Sequence, residues 1–61
     1  MLSKGQIYVW KNKLEIQITG LWMLGFECEE VEIMNLNTLK KKILLKNKIV
    51  ELINSKELIK K

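Results

Sequence analysis

The sequence predicts an all-β fold: a small five-stranded barrel with a short C-terminal helix, in a single domain spanning residues 1–61. Three observations predict it. Residues 14–19 alternate strictly, with Leu14, Ile16 and Ile18 on one parity and Glu15, Gln17 and Thr19 on the other, the period of a half-buried strand. Residues 6–12 open with Gln6, Ile7, Tyr8, Val9 and Trp10, the β-branched and aromatic composition of strands. Lys-Asn-Lys occurs twice between apolar residues, at 11–13 and 46–48, and Asn tolerates the left-handed backbone of a tight turn.

The first element is therefore a hairpin that turns at Lys11-Asn12-Lys13. Thr19-Gly20 ends its second strand, and the apolar run Leu21-Trp22-Met23-Leu24-Gly25-Phe26 follows as a loop. Alternation returns from Phe26 to Met34, but Phe26 and Cys28 lie on one parity and Val31 and Ile33 on the other. One inserted residue near Glu29-Glu30 repairs the phase, so a β-bulge is expected there. Asn35-Leu36-Asn37-Thr38 reads as a turn that sets Glu32 roughly opposite Lys41. In the next stretch, read as a strand, Ile43 and Leu45 share a face, opposite Lys40, Lys42 and Lys46, with Leu44 the exception on the lysine side. The second Lys-Asn-Lys then turns the chain into a return strand, Ile49–Ile53. Ser55-Lys56-Glu57-Leu58 starts the terminal helix, with a small polar residue to cap the first-turn amides and Lys60 and Lys61 at the negative end of its dipole. The alternative is α+β, with four strands and a helix from about residue 47.

Short strands with one apolar face each close economically as a curled barrel. The opening Lys4-Gly5-Gln6-Ile7-Tyr8, the pairing with Leu14-Glu15-Ile16, the central Val31-Glu32-Ile33, and Thr38 before a basic strand and a terminal Ser-Lys-Glu-Leu helix resemble the layout of the small SH3-like proteins of phages and prophages. That resemblance implies a five-stranded SH3-like barrel and a non-catalytic role as an inhibitor or adaptor. It carries no catalytic residues over.

Composition narrows the chemistry. The chain holds eleven Lys, seven Glu, one Cys and no His, for a net charge of +4, and it lacks Arg, Asp, Ala and Pro. That skew points to a coding bias behind part of the positive charge. With one Cys and no His there is neither an internal disulfide nor a Cys/His metal site, and no cofactor is expected. General acid–base and nucleophilic catalysis need a positioned base beside the reacting group. Here Glu27, Glu29 and Glu30 surround Cys28, which disfavours its thiolate. The expectation is a protein that is not an enzyme. No apolar stretch of signal-peptide length follows Lys4, and Leu21–Phe26 is far too short to span a bilayer. A lone cysteine suits a reducing compartment, so the expected location is cytoplasmic and away from membranes.

Two candidate surfaces remain. Leu21, Trp22, Met23, Leu24 and Phe26 either plug the open end of the barrel or face outward to a partner, since aromatic side chains dominate interface energetics. A chain this small buries only ~60% of its unfolded surface, so a homo-oligomer is expected, with a host protein or a small ligand as the other partner. Lys40, Lys41, Lys42, Lys46 and Lys48 form a basic strip. With stacking from Tyr8 and Trp10 it makes a candidate RNA or DNA platform, although Arg, the preferred reader of phosphate, is absent. A structural or assembly subunit is the third reading.

Overall fold

A computed structural model describes residues 2–61. Strand β1 (Ile7–Trp10) pairs with β2 (Leu14–Leu24) as the alternation requires, with Trp10 opposite Leu14 and Tyr8 opposite Ile16. At the turn, Lys11 and Asn12 take φ of 53° and 59°, and the Lys13 N–H donates to the Trp10 carbonyl at 3.0 Å. Positive φ at both central residues suits the right-handed twist of a hairpin. β1 begins one residue after Gln6, where the strand-like composition starts, and ends at Trp10, just before the expected turn.

β2 does not end at Thr19-Gly20. It continues to Leu24 and pairs along most of its length with β3 (Glu27–Asn35). The strand survives because the extra residue, Thr19, is absorbed as a bulge: Ile18 lies opposite Ile33, and Gly20 opposite Glu32. The Thr19 hydroxyl donates to Glu32 Oε1 at 2.7 Å. A second shift follows, with Trp22 opposite Glu30 and Met23 opposite Cys28. Glu29 is thus the extra residue of β3, where the phase change of the sequence places it.

At the next turn the Asn35 side-chain oxygen accepts from the backbone N–H groups of Asn37 (2.8 Å) and Thr38 (3.3 Å). β4 (Lys41–Leu45) then returns along β3, Val31 opposite Leu44 and Ile33 opposite Lys42. This register corrects two expectations. Leu44 packs against the core, while Ile43 and Leu45 are exposed. Glu32 faces Ile43, and Lys41 reaches Glu32 Oε1 only diagonally, at 3.8 Å.

The return strand at 49–53 and the terminal helix are both overturned. Lys46–Asn54 forms the helix α1, and Leu58–Lys60 forms β5, paired with β1. Counted from Lys46, Ile49, Leu52 and Ile53 share the i, i+3, i+4 stripe of an amphipathic helix. Ile49 and Leu52 are buried, and Ile53 packs beside them. Ser55 ends the helix instead of starting one, its N–H donating to the Glu51 carbonyl at 2.9 Å. The α+β alternative placed this helix within a residue of its start but lacked the fifth strand.

The result is one antiparallel sheet in the order β4-β3-β2-β1-β5, with α1 joining the two edge strands. The sheet is not closed, since β4 and β5 do not pair. Tyr8, Ile16, Ile18, Val31 and Ile33 of the concave face meet Ile49 and Leu52 of α1 and Leu58 of β5.

Candidate functional site

The outer half of the β2–β3 hairpin carries the apolar run of the sequence. Leu21 sits opposite Val31 and is half-buried against the core. Beyond it exposure rises along the strand: Trp22 45%, Met23 56%, Leu24 70%, and Phe26 fully exposed at 102%. Gly25 and Phe26 make the two-residue turn, with Gly25 at φ 63°, a value glycine adopts without cost. Of the two readings of this run, a core plug does not describe Trp22, Met23, Leu24 or Phe26. Alternation sends Trp22 and Leu24 to the convex face and Met23 to the concave one. There Met23, Leu21 and Cys28 line a cleft of about 600 Å³ that reaches Leu45 and Lys46. Gly20 has a packing role, because a Cβ there would stand 3.0 Å from the Trp22 ring.

The lysine strip is dispersed. Lys40 and Lys42 border the concave face, Lys41 lies on the other face beside Glu32, and Lys46 and Lys48 occupy the first turn of α1. Tyr8 is buried at 4% exposure, and its hydroxyl donates to Gln6 Oε1 at 3.1 Å. Burial pushes its phenol above the ordinary value of 10.0. Tyr8 is therefore withdrawn from any stacking surface. Trp10 is partly buried, and its Nε1 has no hydrogen-bond partner among the described residues.

At the end of the sheet away from the hairpin tip, Trp10, Leu14, Ile16 and Ile33 floor a groove of about 450 Å³. Asn35, Thr38, Lys40, Lys41 and Lys42 complete its wall. The groove thus combines one aromatic from the expected nucleic-acid set with three of its five lysines. It does so through strand register, which brings β1 and β4 to one face from either side of the β2–β3 pair.

Charge is divided along the chain in a way that no single motif carries. All eleven Lys lie outside residues 14–39, and five of the seven Glu lie inside. The β2–β3 hairpin is consequently acidic, while the rest of the molecule is basic. Tip and groove are also far apart. β2 runs eleven residues from Leu14 at the groove to Leu24 at the tip, at about 3.3 Å per residue, and the molecule measures 34 Å along its longest axis.

Among the described residues, no three Cys or Glu side chains cluster as metal ligands, and no helix is long and apolar enough to cross a membrane. Comparison with protein-family models, with characterised proteins and with solved structures finds no match for this chain.

Proposed function

We propose that this chain is a non-catalytic binding module that docks on a protein partner through the tip of its β2–β3 hairpin. One observation carries the reading: Trp22, Met23, Leu24 and Phe26, four large apolar side chains in sequence proximity, are all displayed to solvent at the end of a projecting hairpin. Large apolar residues scattered singly over a surface need no explanation, whereas a contiguous patch marks an interaction site. A narrow convex tip suits insertion into an apolar cleft of the partner. Its aromatic anchors belong to the residue types that dominate interface energetics. The non-catalytic part of the reading rests on the residues available: no His, no Asp, and a single Cys flanked by Glu.

The finer fold reading belongs to the same proposal. The bulges at Thr19 and Glu29 bend the long hairpin, and β1 lies next to β5. Both features support an SH3-like barrel left open between β4 and β5, in keeping with an inhibitor or adaptor of the phage or mobile-element kind.

The test is retention of a partner on the immobilised chain from extracts of its native host, followed by reconstitution with the purified partner. Affinity should fall only modestly with salt, because the core of the contact is apolar. Phe26→Ser together with Leu24→Ser should weaken it by at least ~30-fold, the scale of one interface hot spot. Lys13→Gln, at the opposite end of β2 from the tip, should leave it unchanged. Equal retention by the doubly substituted tip would sink the reading.

A further inference from the structure

We propose that the hairpin tip of one copy docks in the Trp10 groove of the next, so that the chain associates with itself head to tail. The inference rests on the tip being a docking surface and names its partner as a second copy. Three observations converge on it.

The first is complementarity. The tip presents Leu24 and Phe26 beside Glu27 and Glu29, within a segment that contains no Lys. The groove presents an apolar floor beneath Lys40 and Lys42, with no carboxylate among its lining residues. Neither Lys40 nor Lys42 joins an ion pair among the described residues. Apolar side chains and charges of opposite sign thus match between the two surfaces of one molecule. Matched potentials of this kind set orientation and suppress wrong pairings.

The second is a donor without an acceptor. Trp10 Nε1 is buried and unpartnered among the described residues, and a buried N–H of this kind normally finds a partner. An incoming turn brings backbone carbonyls and the Glu27 carboxylate as acceptors, and the Trp10 indole must turn toward the groove to meet them, because its Nε1 has no surface exposed to solvent.

The third is placement. Tip and groove occupy opposite ends of β2, so a tip cannot fold back into its own groove. Joined head to tail, copies leave one tip and one groove free at the ends of every open assembly, so the contact grows into filaments, or into rings where the rotation closes. A nucleic acid is the weaker occupant: Tyr8 is in the core, and Lys41 is engaged with Glu32.

Sedimentation velocity on three proteins tests the proposal: the unmodified chain, a tip variant (Leu24→Ser with Phe26→Ser) and a groove variant (Lys40→Glu with Lys42→Glu). All substituted positions are exposed, and circular dichroism verifies each fold. The unmodified chain should grow past dimer mass as concentration rises. Each variant alone should remain monomeric, at least tenfold weaker in association. Their equimolar mixture should form a 1:1 dimer that grows no further, because only the intact groove of one and the intact tip of the other can pair. Should a variant fail to fold, Trp22→Phe leaves Trp10 as the sole indole. Its emission must then shift with concentration, and a constant spectrum counts against the proposal. A groove variant that assembles like the unmodified chain would show tip-to-tip pairing and overturn the inference. So would tight, salt-sensitive binding of a labelled single-stranded oligonucleotide that Lys40→Glu with Lys42→Glu abolishes, since it assigns the groove to another ligand. A monomer at ~100 μM, well above most specific dissociation constants, removes self-association and leaves the tip's binding to another protein standing.

Discussion

Lys11-Asn12-Lys13 and Lys46-Asn47-Lys48 are the same tripeptide, each with a large apolar residue on either side: Trp10 and Leu14 around the first, Leu45 and Ile49 around the second. The first is a hairpin turn with two residues at positive φ, and the second is the opening turn of a helix. Local chemistry does not explain the difference. The helix begins without a side-chain cap and without an acidic residue in its first turn, and its lysines there oppose the macrodipole. At nine residues it is also too short to stand alone in water. What separates the two is the residue that follows. Leu14 stays 40% exposed at the end of its strand, whereas Ile49 is buried at 1% beneath the sheet. The turn is made by its backbone, and the helix is made by what it covers.

The largest test of that contrast truncates the two flanking residues. Ile49→Ala should destabilise the fold by about 2–4 kcal/mol, as buried large-to-small changes do. Leu14→Ala, at the matching place after the first tripeptide, should cost under about 1 kcal/mol because little is buried there. Urea melts with an unchanged slope would establish both values. Equal costs would break the comparison.

The central asparagines should respond with opposite signs. Asn12→Ala should destabilise by about 1 kcal/mol, since its φ of 59° penalises a Cβ that lacks a compensating side-chain hydrogen bond. Asn47→Ala should stabilise by about 0.5 kcal/mol through helix propensity. A smaller effect separates the third positions. Lys48→Glu should add about 0.3–1 kcal/mol by placing a negative charge at the helix N-terminus, and that gain should fade with salt. Lys13→Glu should do nothing measurable.

Alkali gives the smallest signal and reads only the first region, through Tyr8 on β1. Its phenol is raised above 10.0 by burial, so above that pH the unfolded chain releases the proton while the folded chain retains it. Folding stability must then fall as pH rises through the ordinary tyrosine range. Tyr8→Phe should lose stability at neutral pH with the hydrogen bond to Gln6, and its deficit should narrow as pH climbs past 10. A constant deficit would assign Tyr8 a purely packing role.

Where the sequence was legible, the signal was local. The period of two at Leu14–Thr19, the positive-φ turn at Lys11-Asn12 and the phase change at Glu29 are each read within a few residues of chain. The candidate site was half legible. The run at 21–26 stood out by composition, but its exposure depends on β2 continuing through Gly20, which the bulge at Thr19 permits. The groove was not legible as a site, since Trp10, Ile33 and Lys42 meet only through the registers of three strand pairs.

What this sequence determined by itself is therefore the β1–β2 hairpin, the bulge of β3 and the separation of acidic hairpin from basic remainder. Each follows from backbone preference, side-chain parity or charge along the chain. Tertiary structure alone decided that Ile49 and Leu52 belong to a helix, that Leu58 begins a strand beside β1, and that Leu44 rather than Ile43 faces inward. At those places propensity is weak and the caps are missing. The conformation that prevails is the one that buries Ile49, Leu52 and Leu58 against an already formed sheet, and burying each such side chain stabilises by ~1.5–3 kcal/mol, several times any local preference along that stretch.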